Sequence, residues 1–226
     1  MPCKCRKGVM VDFDFAAIDG AAAMHKAASS VFGSMELEKE FGKAAEARYF
    51  AGRPFVDGAR DFLSAVKSRR APEKTAELLE SRFESILAEF LRETALEPVK
   101  AFFEAVSGAG LTVAVVSRLE PSLVAQAVGA VPESDGFVFH REVQPLYCGL
   151  RRDLWRHVAA RYGLDHLKSV AVTGTQAGLK AALMSAVPVA AVVREHVAFM
   201  DFGGADVVAG KFDSDLAKNI FALLKL

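Results

Sequence analysis

The chain has 226 residues, with 28 basic and 28 acidic side chains, so its formal net charge is zero. The chain therefore lacks the excess of positive charge that is typical of proteins that bind nucleic acid or an anionic membrane, which argues against both as partners. Hydrophobic residues make up 52% of the chain, enough for a sizeable core. The apolar runs are too short to span a membrane, and no secretory signal is recognisable. The three cysteines are an odd number without the spacing of a disulfide framework. We therefore expect a cytoplasmic protein.

Six short apolar runs predict strands at 8–13, 111–117, 136–139, 169–174, 189–193 and 205–210. Near-continuous apolar runs are typical of parallel strands that are buried on both faces. Helical patterns separate most of the runs, at 98–109, 150–163 and 177–186, and a last helix is expected over 215–224. The pattern predicts an α/β fold with a doubly wound parallel sheet, similar to a Rossmann fold.

The interval between the first two predicted strands is long and contains no strand-like run. Its apolar spacing predicts helices over 21–31, 36–49 and 58–66, and a longer helix that begins at Pro72. An insert directly after the first strand lies over the carboxyl ends of the strands, where open α/β sheets bind their ligands. We therefore expect the helices to cover the functional site.

Two carboxylates, Asp12 and Asp14, stand at the end of the first predicted strand. Side chains alternate along a strand, so both are expected on one face. Such a pair suits nucleophilic and acid-base chemistry, although it also fits two residues that merely end a strand. A carboxylate about 4 Å from a phosphate repels it, and each pair of like charges costs about 4 kcal/mol at an effective dielectric of 20. A phosphoryl-transfer site with two carboxylates therefore needs cations.

The motifs resemble the haloacid dehalogenase superfamily, in particular its phosphatase and phosphoglucomutase branch with a helical cap. "VDFDFAAID" (11–19) matches the first motif, and "LTVAVVSRLEPS" (111–122) ends a strand on Ser117, as the second motif does. The resemblance covers nearly the whole chain. It implies that Asp12 is a nucleophile, that Asp14 is a general acid and base, and that Ser117 binds phosphate. It also implies an α/β core domain of residues 1–19 and 94–226 and a helical cap domain of residues 20–93.

Three parts of the family pattern are altered in this chain. Phe15 and Ala16 replace the Gly-Thr of the first motif, and the best alignment of "GLRRDLW" (149–155) puts Gly149 at the position of the third-motif lysine. In "VTGTQAGLKAA" (172–182), Gly174 takes the place of the metal-binding aspartate. Of the usual magnesium ligands only Asp12 and the backbone carbonyl of Asp14 remain. We expect a weak or absent Mg²⁺ site, and no cofactor unless the protein is active.

Two functions remain open. The favoured one is a non-catalytic or strongly attenuated family member that binds a small ligand or a partner. The alternative is an active phosphohydrolase for a small phosphorylated metabolite, with Asp12 as nucleophile and Arg118, Arg151 or Arg152 as the replacement cation that binds phosphate. Metal-free dehalogenase chemistry is less favoured, because that branch lacks the second aspartate and this chain keeps Asp14.

The remaining metal-binding and aromatic residue types give weaker indications. No fourth ligand is indicated for a metal site at the three cysteines, Cys3, Cys5 and Cys148, so we expect them to be incidental. The five histidines are not spaced as in a zinc site, and we expect them to be surface or packing residues. Four phenylalanines are candidates to line the cleft under the helices, although core packing is the default expectation: Phe13, Phe15, Phe50 and Phe55.

Overall fold

The computed structural model describes residues 6–129, 136–141 and 152–226. Six strands form one parallel sheet in the order β3-β2-β1-β4-β5-β6. The strands are β1 (Gly8–Asp12), β2 (Thr112–Ser117), β3 (Phe137–Arg141), β4 (Val170–Thr173), β5 (Val189–Val192) and β6 (Val207–Ala209). The predicted doubly wound α/β fold is confirmed.

The position of each strand in the sheet follows from its apolar content. Every residue of β1, β2, β4 and β5 is buried, as expected for strands that are covered on both faces. Val11 of β1 is in register with Val115 on one side and Val172 on the other. β6 lies at the edge of the sheet and exposes Val208. The carboxyl end of β1 is therefore at the centre of the sheet, between β2 and β4.

Four helices, here called the helical insert (20–93), separate β1 from β2: α1 (Gly20–Ser34), α2 (Lys43–Tyr49), α3 (Phe55–Ala65) and α4 (Pro72–Glu93). The prediction of one helix over 36–49 is wrong in its first half, because Gly42 is extended and α2 begins only after it. The rings of Phe32, Phe41, Phe50 and Phe62 pack together inside the insert. Phe50 is therefore a core residue. The division into two domains stays a prediction.

The other helices pack against the sheet: α5 (Leu96–Gly108), α6 (Pro121–Val128), α7 (Leu154–Arg161), α8 (Gln176–Met184) and α9 (Ser214–Leu224). α5 begins two residues before Pro98, because a proline is tolerated in the first helical turn. The sequence interpretation missed α6, although Pro121 opens it and Gly129, with φ of 71°, ends it. In the described part of the chain, no helix is both long and apolar enough to cross a membrane.

A buried π-helical turn, here called the π-turn (Phe13–Ala17), follows β1 directly. It leads into α1, whose first turn is capped by Asp19: the Ala22 N–H donates to Asp19 Oδ1 over 3.0 Å. Because β1 ends at Asp12, Asp14 lies in the π-turn and not in the strand. The expectation that strand alternation relates Asp12 to Asp14 is therefore wrong, although the charge of Asp14 does act on Asp12.

Candidate active site

Three polypeptide segments meet at the carboxyl edge of the sheet. Asp12 ends β1, Ser117 ends β2, and Gly174 directly follows β4. Side-chain hydrogen bonds join the segments: Thr173 Oγ1 donates to Asp12 Oδ2 over 2.9 Å, and Ser117 Oγ donates to Asp14 Oδ1 over 2.5 Å. The structure thus brings together the residues of the first, second and fourth motifs, as expected for neighbouring parallel strands.

Asp12 is almost fully enclosed, with 2% of its surface exposed. Its carboxyl group accepts hydrogen bonds from the Thr173 hydroxyl and from the backbone N–H groups of Phe15 and Gly174. Burial, followed by the negative charge of Asp14, nevertheless raises the pKa of Asp12 well above its ordinary value of 3.8. The structure therefore favours the neutral carboxyl at this position.

Asp14 lies in a fixed hydrogen-bond network. Its carboxylate accepts from the Ser117 hydroxyl and, over 2.8 Å, from the backbone N–H of Arg118. The N–H of Leu119 donates to Ser117 Oγ over 3.0 Å, which orients that hydroxyl toward Asp14. Burial raises the pKa of Asp14 to about 6, although these hydrogen bonds and the charge of Arg118 oppose the rise. In this structure Ser117 is a partner of Asp14.

The guanidinium of Arg118 lies beside α4 of the helical insert. Its Nη2 is 3.7 Å from Glu80 Oε2, and its Nε is 3.5 Å from Glu84 Oε2. Only the backbone N–H of Arg118 bonds to Asp14. Because the side chain is buried and paired with two glutamates, its charge is largely balanced before any phosphate arrives. The predicted phosphate-binding role of Arg118 stays a prediction.

Of the other two arginines named as replacement cations, the structure describes only Arg152. Arg151 lies outside the described residues. Arg152 is exposed, and its carbonyl accepts from Ser185 Oγ over 3.0 Å. Ser185 follows the C-terminal end of α8, whereas Gly174 precedes the N-terminal end of the same helix. A helix of nine residues is about 13 Å long, so the Arg152 backbone lies far from the carboxylates.

Gly174 packs against the backbone of the π-turn. A Cβ atom at this position would lie 1.9 Å from the carbonyl oxygen of Phe15, far inside van der Waals contact. The next residue, Thr175, caps α8 by accepting from the Gly178 N–H over 3.0 Å. Any side chain at 174 therefore requires movement of the π-turn or of the start of α8, and a metal-binding carboxylate has no room here.

The described residues offer few ligands for a magnesium ion, and the weak or absent Mg²⁺ site stays a prediction. Mg²⁺ requires near-octahedral oxygen ligands, of which carboxylates are the strongest. Asp12 already accepts hydrogen bonds from three donors, and position 174 carries no side chain. Within residues 6–129, 136–141 and 152–226, no three His, Cys, Asp or Glu side chains form a group that could hold a metal ion. Cys3, Cys5, Cys148 and Gly149 lie outside these ranges.

The helical insert covers the π-turn. The ring of Phe15 stacks on Phe83 of α4 with centroids 6.0 Å apart, and Phe55 contacts Phe83 from α3. Phe13, the first residue of the π-turn, is fully buried. Four surface cavities of about 320 to 550 Å³ are described, and none of them is lined by Asp12 or Asp14. The four candidate cleft phenylalanines are thus packing residues.

Sequence reasoning missed several polar residues in the helical insert and beside the π-turn. Glu46 in α2 is buried and 2.5 Å from His25 Nδ1, whose ring lies 6.1 Å from that of His196. Arg194 follows β5, and its Nη2 donates to the carbonyls of Ala16 and Ala17 over 3.0 and 2.9 Å. These partners are 21 to 178 residues apart in the chain, so no local pattern could have identified them.

Comparisons with known proteins identify the fold. No protein-family model matches the sequence, and no curated protein matches it. Among solved structures, CbbY from Rhodobacter sphaeroides with bound phosphate has a TM-score of 0.65 and 15% identity, covering 92% of this chain and 95% of that one. A conserved haloacid dehalogenase-like protein of Agrobacterium tumefaciens has a TM-score of 0.67 and 17% identity over 96% of this chain and 99% of its own.

A protein of Haemophilus somnus described as a predicted phosphoglycolate phosphatase has a TM-score of 0.63 and 16% identity, covering 93% of this chain and 96% of that one. The chain has the haloacid dehalogenase fold. In this haloacid dehalogenase fold, Asp12, Asp14 and Ser117 lie together at the carboxyl edge of the sheet, and Gly174 lies against the π-turn.

Proposed function

We propose that this protein is a non-catalytic or strongly attenuated relative of haloacid dehalogenase-type phosphohydrolases that acts by binding a small ligand or a partner. The observation that carries the proposal is the contact between Gly174 and the π-turn. The Phe15 carbonyl occupies the space that a metal-binding side chain at 174 would need. A phosphoryl site with two carboxylates depends on a cation, and this contact supports the proposal that the chain holds a cation weakly or not at all.

The remaining positive charge near the site supports the same proposal. Arg118 is paired with Glu80 and Glu84, so it offers little net charge to a phosphate dianion. Burial favours the neutral form of Asp12, which is a much weaker nucleophile than the carboxylate. Both features lower the expected rate of phosphoryl transfer. A cytoplasmic location stays part of the proposal and is supported by composition alone.

The second candidate is an active phosphohydrolase for a small phosphorylated metabolite, with Asp12 as nucleophile. One observation favours it: the pKa of Asp14, at about 6, suits a general acid that works near neutral pH. The solved CbbY structure of the same fold holds phosphate. In this case Mg²⁺ or an arginine would have to reach the carboxylates after the helical insert and the π-turn move apart.

A phosphatase assay separates the two candidates. The unmodified protein and Asp12→Asn are compared on a panel of sugar and nucleotide phosphates in the presence of Mg²⁺. We expect no turnover by the unmodified protein above that of Asp12→Asn. Turnover that disappears in Asp12→Asn, while both proteins have similar melting temperatures, would establish the phosphohydrolase and reject the proposal.

Restoring the acidic residue tests the steric argument. We expect Gly174→Asp to bring no Mg²⁺-dependent activity and to lower the free energy of unfolding by about 1 to 3 kcal/mol, because its Cβ collides with the Phe15 carbonyl. Gly174→Ala is the matched control, since it adds the same Cβ without charge, and we expect a comparable loss. Urea unfolding measures both. A stable, Mg²⁺-activated Gly174→Asp protein would contradict the argument.

A further inference from the structure

The two connections between the helical insert and the sheet border a cavity of about 400 Å³. Ala17, at the end of the π-turn, lines it from the first connection, and Thr94 and Ala95 line it from the second. The cavity is completed by residues that follow β5 and β6, among them Arg194 and Lys211. It is therefore bounded by both segments through which the insert is attached.

Two cations on the cavity wall make no salt bridge among the described residues, although the charge of Asp19 acts on Arg194 from a longer distance. Neither Arg194 nor Lys211 has a carboxylate within salt-bridge distance among the described residues. In the described part of the chain, four arginines elsewhere are paired with carboxylates: Arg53, Arg60, Arg118 and Arg141. The Nε of Arg194 is buried and has no hydrogen-bond partner in the described part of the chain. A buried donor without an acceptor destabilises the folded state, and an incoming acceptor would remove that penalty.

The acidic residue of the same wall is already engaged. Asp213 Oδ1 accepts from the N–H groups of Asp215 and Leu216 and so caps α9. Apolar groups complete the wall, including Pro98, Val99 and the buried ring of Phe212. A cavity with two unpaired cations, a backbone-bonded carboxylate and an apolar side matches a small organic anion with a phosphate or carboxylate head.

We propose that this cavity binds a small organic anion, whose phosphate or carboxylate head lies between Arg194 and Lys211. The guanidinium fork suits both head groups, and the ammonium of Lys211 adds a second positive charge. The site is separate from the carboxylate pair, since neither Asp12 nor Asp14 lines it. The proposal does not depend on whether the protein is catalytic.

Occupancy of the cavity acts on the attachment of the helical insert. Arg194 holds the carbonyls of Ala16 and Ala17, which belong to the same π-turn as Asp14. An anion that fixes the guanidinium therefore also fixes the last residues of the π-turn and the start of the insert. Binding is expected to reduce hydrogen exchange at the amides of 16–22 and 94–98, which lie in the two connections.

Amide NMR titration of the full chain tests the proposal. Inorganic phosphate and acetate are the two probes, and they distinguish a phosphate head from a carboxylate head. We expect at least one of them to shift the amides of Ala95, Gly210 and Lys211, with a Kd that Lys211→Gln raises at least about fivefold. Lys180→Gln, which removes an exposed lysine on α8, is the matched control and leaves the Kd unchanged.

Two further variants test the second cation and the separation from the carboxylate site. Arg194→Lys retains the charge but loses the fork, and we expect it to weaken binding with the spectrum of a folded protein. Ser117→Ala removes a predicted phosphate ligand of the carboxylate site and is expected to have no effect on these amides. The proposal is overturned if neither probe shifts the amides of the cavity, or if Lys211→Gln binds as tightly as the unmodified chain. It is also overturned if Lys180→Gln weakens binding as much as Lys211→Gln does, or if Ser117→Ala abolishes binding.

Discussion

Asp14 carries a carboxyl group whose titration differs between the folded and the unfolded chain. Burial raises its pKa from 3.8 to about 6 in the folded protein. Between these two pH values the folded state binds more protons than the unfolded state, so the free energy of unfolding falls as the pH rises through this window. Above about pH 6 the free energy of unfolding falls no further on account of Asp14, because the buried group is then ionised in the folded as well as in the unfolded chain.

Replacing Asp14 by asparagine removes the cost of burying this carboxylate. The asparagine can keep both contacts, because its oxygen can accept from the Arg118 N–H and its amide can donate to Ser117 Oγ. We expect Asp14→Asn to raise the free energy of unfolding at pH 7 by up to about 3 kcal/mol, and to flatten its decrease between about pH 4 and 6. Urea unfolding at a series of pH values measures both effects.

The control for this variant is Asp215→Asn. Asp215 is exposed and Lys218 lowers its pKa, so removing its charge brings no gain at pH 7. If Asp14→Asn and Asp215→Asn gave the same pH profile, the burial of Asp14 would not be the cause.

At the scale of elements, α4 is the helix that joins the insert to the site. Phe83, near its middle, stacks on Phe15 in the π-turn and contacts Phe55 in α3. Glu80 and Glu84, which lie on either side of Phe83 in the sequence, pair with Arg118. A single face of α4 therefore packs the π-turn and balances the arginine that follows β2.

Truncating Phe83 tests this role of α4. We expect Phe83→Ala to lower the free energy of unfolding by about 3 to 5 kcal/mol and to speed hydrogen exchange at the amides of Phe15 and Ala16. Leu78→Ala, on the exposed face of the same helix, changes stability by less than about 0.5 kcal/mol. Unchanged exchange in the π-turn of Phe83→Ala would show that α4 does not hold it.

The elements that could be predicted from the sequence are those with a pattern of their own. The strands β1, β2, β4 and β5 are apolar runs because both faces are buried, and α4 opens at Pro72. The π-turn has no such pattern. It depends on two glycines that pack closely against its backbone. Gly174 lies against the Phe15 carbonyl, and a Cβ atom at Gly20 would lie 2.3 Å from the Asp14 carbonyl oxygen. Such contacts are tertiary and leave no local periodicity.

The same distinction applies to the candidate site. The meeting of Asp12, Ser117 and Gly174 could be predicted, because adjacent parallel strands end at one edge. The pairing of Arg118 with Glu80 and Glu84 could not, because it depends on how the insert packs. Gly174 was interpreted only as a lost ligand, whereas the structure shows that its missing side chain makes room for the Phe15 carbonyl.

For the whole molecule, the clearest expectation concerns magnesium. A ligand well below its dissociation constant stabilises a protein by almost nothing. We therefore expect millimolar Mg²⁺ to change the melting temperature by less than about 1 °C, as measured by calorimetry with and without EDTA. Tight Mg²⁺ binding that disappears in Asp12→Asn would show that another residue replaces the carboxylate at 174, and would favour the active phosphohydrolase.

The central place of β1 also determines when the chain can assemble during synthesis. β1 is made before the other strands of the sheet, yet its two neighbours begin only at Thr112 and Val170. The helical insert, with its local contacts and its own aromatic cluster, can form while β1 still lacks its neighbouring strands. Asp12 and Thr173 are 161 residues apart, so they meet only after β4 has been made. The candidate site is thus completed long after its first strand has been synthesised, and until then an apolar strand is open to wrong partners.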